Sequence, residues 1–151
     1  MLVTTGSTLR FAVAAFDTWE GMQPALRELI GGGSPQQSFN YLALQRILRD
    51  AGRGMVLQPL PFPGNRELIS CSDGPVARRL AGCLGTGAQT LRGALGRWLI
   101  PRHAARLEDT VEGGGILLWV HVPDNESERR AYQSLLAQTS QPVGVHDLVG
   151  E

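Results

Sequence analysis

The stretch GGGILLWVHV, Gly113 to Val122, carries two side chains able to do chemistry, Trp119 and His121, two residues apart. Alternation along a strand would set both on one face, where an indole offers an apolar platform and an imidazole a group that titrates near neutral pH. Together they suit a small apolar ligand lying on a sheet, and Phe16, at the end of the first apolar run, would extend the platform. Plain packing competes with that reading, because no acid or nucleophile stands at a diagnostic spacing from His121 and a lone histidine is most often structural. No catalytic residue is assigned. His103, His121 and His146 fall in three different segments without an H-x-x-x-H or H-E-x-x-H spacing, so no metal site is expected.

The remaining reactive residue types mostly exclude functions. All 14 basic residues are arginine. With no lysine there is no Schiff-base chemistry and no P-loop, so GCLGTGAQT (Gly82 to Thr90) is not a phosphate cradle, and no cofactor is expected. Cys71 and Cys83 have neither the spacing of a metal or redox pair nor the number of a secreted disulfide scaffold, and read as buried free thiols. Asp17 reads as a helix cap, and the carboxylates of EDTVE (Glu108 to Glu112) as a solvated cluster. Acidic and basic residues balance at 14 each, which implies no strongly charged partner. GGGILLWVHV also lacks the aromatic run and basic lead-in of an RNA-recognition strand, so no nucleic-acid partner is expected. The longest uncharged stretch, between Arg79 and Arg92, is about half the roughly 20 residues of a spanning helix, so no membrane span is expected. MLVTTGSTLR lacks a basic region followed by an apolar run, so the chain reads as cytoplasmic.

Positioning these side chains requires one α+β domain over residues 1–151, a length that buries a single core. LRFAVAAF (Leu9 to Phe16) reads as a central strand. Asp17 and Glu20 have the spacing of a capping box before a helix carrying Trp19, Met22, Leu26, Leu29 and Ile30, and Pro24 would delay its regular part to about Gln23. FNYLAL (Phe39 to Leu44) reads as a strand at a sheet edge, or as the start of a helix ending at Gly52. Residues 53–112 form an insertion, irregular through its prolines with a short strand around Leu68 to Ser70, then helical. Val76, Leu80, Leu84, Leu91, Leu95 and Leu99 make an apolar stripe, and its glycines either break the helix near Gly85 to Gly87 or allow close packing. A further helix opens at Pro101, buries Ala104, Leu107 and Val111, and stops at Gly113. After the strand ending in His121, Asn125 and Glu128 have capping-box spacing before a helix that buries Ala131, Tyr132, Leu135 and Leu136, and VGVHDL (Val143 to Leu148) is the last strand. This order is the ferredoxin-like split βαβ arrangement with a helical insertion between its halves.

Two segments carry a resemblance. AVAAFDTWEGMQPALREL and IPRHAARLEDTVEGGGILLWVHVPDNESERRAYQSLL are similar to the opening and closing parts of small bacterial general-stress-protein domains, in which a strand ending in Phe-Asp leads into a helix. The resemblance implies a fold and a stress-related context, and no catalytic residue.

Alternation places Ile116, Leu118, Val120 and Val122 under the two βαβ helices and Leu117, Trp119 and His121 on the open face, joined there by Arg10, Ala12, Ala14 and Phe16 of the first strand. That face is too apolar to meet water. The inserted helices, a second copy of the chain, or a small apolar ligand on Trp119, His121 and Phe16 would cover it. The expected function is a non-enzymatic, self-associating homo-oligomer, and the alternative is a dimeric ferredoxin-like barrel that binds or transforms a small apolar ligand on the open face.

Overall fold

The computed structural model describes residues 8–35, 38–51, 54–72, 77–85, 87–139 and 143–149. Residues 1–7, Gly52, Arg53, Pro75 and Val76, which enter several of the expectations above, lie outside them. The strands are β1 (Thr8–Phe16), β2 (Phe39–Leu44), β3 (Gln58–Leu60), β4 (Ile69–Ser72), β5 (Ile116–His121) and β6 (Gly144–Val149). They form one antiparallel sheet in the order β3-β4-β2-β5-β1-β6. The helices are α1 (Trp19–Gly31), α2 (Gln45–Ala51), α3 (Ala77–Gly85), α4 (Leu91–Leu95), α5 (Pro101–Glu112) and α6 (Asn125–Gln138). The protein is therefore α+β. Helix α1 carries the chain from β1 past β5 to β2, and α6 carries it from β5 past β1 to β6.

Both faces of the sheet are covered. On one, α1 and α6 lay Met22, Ala25, Leu26, Leu29, Ala131 and Leu135 against Ala12, Ala14, Phe16, Ala43, Ile116, Leu118 and Val120. Alanines in the sheet let the two helices approach closely, as dense packing requires. On the other, the insertion folds back, and Leu80, Leu84, Leu91, Leu95, Ala104 and Val111 share a core with Phe11, Val13, Leu117 and Trp119. Each such leucine taken out of water contributes about 1.5–3 kcal/mol.

The first strand departs from its expected register. Val13 lies opposite Trp119, and Phe16 opposite Ile116. Residues directly opposite share a face, so Phe11, Val13 and Ala15 accompany Trp119, while Ala12, Ala14 and Phe16 face α1 and α6. A shift of one residue moves every side chain to the other face. From Phe11 to Phe16 both sets of β1 residues are apolar and both faces are buried, so alternation over that stretch carries no polarity to fix its parity.

Other corrections have local causes. The edge expected at Phe39–Leu44 is absent because β4 pairs with β2, leaving β3 and β6 outermost. Thr18 rather than Asp17 caps α1, its Oγ1 accepting from the Gly21 amide at 2.9 Å. The helix starts at Trp19 with Pro24 inside, and the carboxamide of Gln23 donates to the Trp19 carbonyl at 3.3 Å. Asp124 and Ser127 form the reciprocal cap of α6. Ala131 and Leu135 are buried, but Tyr132 and Leu136 are 38% and 47% exposed. The glycine-rich helix breaks after Gly85, where Gly87 takes φ +73°, a left-handed conformation that glycine adopts freely.

Candidate functional site

Three strands supply a floor. Trp119 on β5 lies opposite Val13 on β1, which lies opposite Gly144 on β6. The next row runs from His121 through Phe11 to His146. Alternation in β6 puts Gly144 and His146 on the same side, and a side chain at 144 would bring its Cβ within 2.5 Å of His146 Nε2. Glycine there makes room for the imidazole.

The roof comes from the insertion. Proline at the first position of α5 starts a helix on which His103, Arg106 and Leu107 are spaced three and four residues apart and share a stripe. The neighbouring stripe, Ala104, Glu108 and Val111, is buried. Glu108 is 6% exposed rather than solvated, and it ties the roof together. One of its oxygens accepts from the Asn65 side chain at 3.0 Å and from the Arg92 amide at 3.1 Å, and the other from Arg92 Nε at 3.2 Å. Asn65 also donates to Glu112 and accepts from the Leu91 amide, each at 2.9 Å. This network fixes α4, α5 and the turn at Asn65 to one another, because a buried carboxylate is tolerated only when it is paired.

Between floor and roof lies a cavity of about 260 Å³. Its walls are apolar, from Val13, Leu95, Leu99, Leu107 and Val143, with the indoles of Trp98 and Trp119. His103, Arg106 and His146 supply its polar side chains. Trp119 is 1% exposed and its Nε1–H has no hydrogen-bond partner among the described residues. Asn40, directly across from Trp119, likewise leaves Oδ1 unpaired while its amide donates to the Ser38 and Trp119 carbonyls. Unmatched buried polar atoms are uncommon. Burial holds the His146 imidazole below its ordinary pKa, with Asp147 opposing the effect, so at neutral pH the ring is uncharged and donates one N–H.

Of the residues expected to bind a ligand, Trp119 lines the cavity. Phe16 lies on the opposite face of the sheet and His121 is outside the lining, half-buried with its ring 5.8 Å from Phe11. Burial, and then Arg79, lower the His121 pKa. His103 and His146, which no sequence spacing connects, are the histidines that line the cavity, together with Arg106. The signal for them was the shared stripe of His103 and Arg106 on α5, and the parity of His146 on a strand paired with β1. The described lining combines apolar walls with the imidazoles of His103 and His146 and the guanidinium of Arg106. Cys71 lies away from it, its thiol pushed up to about 12 by burial and so inert as a nucleophile. No described helix is long and apolar enough to cross a membrane. No family model, curated protein or solved structure matches the chain.

Proposed function

We propose that the chain is a non-enzymatic binding module, built on a ferredoxin-like split βαβ core, that holds a small apolar molecule between its helical insertion and the sheet. The cavity of about 260 Å³ over Trp119 carries this reading. A dry void of about 150 Å³ is known to accept benzene, so this one has room for a ring with a short side chain. The sequence resemblance to general stress-protein domains accords with a non-enzymatic role, and the buried Cys71 and Cys83, which are not joined in a disulfide, accord with a cytoplasmic location.

Calorimetric titration with toluene tests the reading. The expected result is saturable one-to-one binding that disappears in Leu107→Trp, a substitution that fills the cavity. Equal heats from both proteins, or none from the wild type, would remove it.

Self-association is a second reading, favoured by Tyr132 and Leu136, which stand one turn apart on α6 and are both exposed. Sedimentation at micromolar concentration is expected to give twice the 16.3 kDa chain mass, and a monomer would end that reading.

A further inference from the structure

We propose that the molecule held in the cavity is a monocarboxylic acid, with its apolar body against Trp98 and Trp119 and its carboxylate between His103, Arg106 and His146. The inference rests on the binding reading above and adds a substrate class to it. Two elements, α5 and β6, converge to place these three nitrogen-bearing side chains on one cavity, and the described lining offers no acidic group to neutralise them. Arg106 lines the cavity and forms no ion pair among the described residues, so its guanidinium is open to an anion held there. An unmatched guanidinium beside an apolar chamber is complementary to an acid with an apolar tail, because its planar fork receives both oxygens of a carboxylate.

The geometry also sets the charge at one. Trp119, at the floor, is 1% exposed and Arg106 is exposed, so the cationic end is the solvent end and the rest of the wall is apolar. A second charge on the ligand would be buried among Val13, Leu95 and Leu99 without a partner, which is costly. His146, neutral through burial, contributes an N–H rather than a charge. The volume suits a ring carrying a short acid side chain.

Titration of 3-phenylpropanoate and its neutral amide, 3-phenylpropanamide, into the wild type and Arg106→Gln tests the class. The acid is expected to bind at least about tenfold more tightly than the amide, in line with the strength of charge-assisted hydrogen bonds. Arg106→Gln should weaken the acid far more than the amide, so that the preference is lost while the circular dichroism spectrum keeps its shape, and His103→Gln should reduce the preference in the same direction. If toluene and the amide bind but the acid has no advantage, or keeps it in Arg106→Gln, the carboxylate class is wrong and the binding module stands. If none of the three compounds binds, the binding reading itself has failed and the class falls with it.

Discussion

The two faces of the sheet are both buried, yet they are closed in different ways. Helices α1 and α6, of 13 and 14 residues, lie along one face and pack against alanines at 12, 14 and 43. Three shorter pieces of helix, of 9, 5 and 12 residues, cover the other, and they leave a cavity over Trp119 with two unmatched polar atoms, Trp119 Nε1 and Asn40 Oδ1, on that side. A core made of long regular elements can fill its space; one assembled from broken elements fills it only where the side chains happen to match. Folding needs the first kind of face. The second is where binding can be accommodated.

Trp119→Ala is the most severe change expected on the insertion face. Trp119 is nearly fully buried and packs edge-on to Phe11 with ring centroids 5.7 Å apart, so its loss should cost about 3–5 kcal/mol. A chemical denaturant midpoint that barely moves would mean that this face is not packed core.

Adjacent residues on β1 separate the two faces more sharply. Ala14→Leu pushes three carbons into the face sealed by α1 and α6 and is expected to cost about 1–3 kcal/mol, whereas Val13→Leu grows into the cavity and should cost less than about 1 kcal/mol. Equal costs measured by urea unfolding would erase the distinction between the faces.

Within the broken helix the glycines should differ in sign. A Cβ at Gly82 meets nothing within 4 Å, so Gly82→Ala is expected to stabilise by about 0.5–1 kcal/mol. Gly87 has positive φ, and Gly87→Ala should destabilise by a similar amount or more. Thermal midpoints moving in the same direction for both would refute the break.

The smallest effect is that of pH. Burial lowers the pKa of both His121 and His146 in the folded protein, so the unfolded chain binds more protons in the window below the ordinary histidine value of about 6.5. Stability from these groups is complete above that value and declines as pH falls through it. The urea midpoint should be lower at pH 5.5 than at pH 7.5, with a shallower decline in His146→Asn; a midpoint that rises on acidification would contradict the burial of both rings.

Much of the helix-covered face was legible in the sequence. Ile116, Leu118, Val120 and Val122 lie under α1 and α6 as their parity predicts, and on the insertion face α5 starts at Pro101 and ends before Gly113 as its residues dictate. The α+β class follows from the order of those elements. The site was less legible because each of its parts depends on long-range register. Phe16 was expected beside Trp119, but β1 is apolar on both sides from Phe11 to Phe16 and a one-residue change of parity put Val13 there instead. His146 lies 43 residues beyond His103 in the sequence, and only the pairing of β6 with β1 and the return of α5 over the sheet unite them. Glu108 looked solvated in a run of acids because its partners, Asn65 and Arg92, lie 43 and 16 residues away in sequence and only the fold brings them to it.

The central claim is that the insertion face, and not the helix face, holds an open apolar chamber, and diffraction from a crystal pressurised with xenon tests it directly, since dry apolar cavities take up the gas. The expected result is a xenon peak among Val13, Leu95, Leu99, Leu107 and Trp119, with none between the sheet and α1 or α6. A chamber that stays empty of xenon because side chains have closed it, or a peak on the helix face alone, would contradict the account.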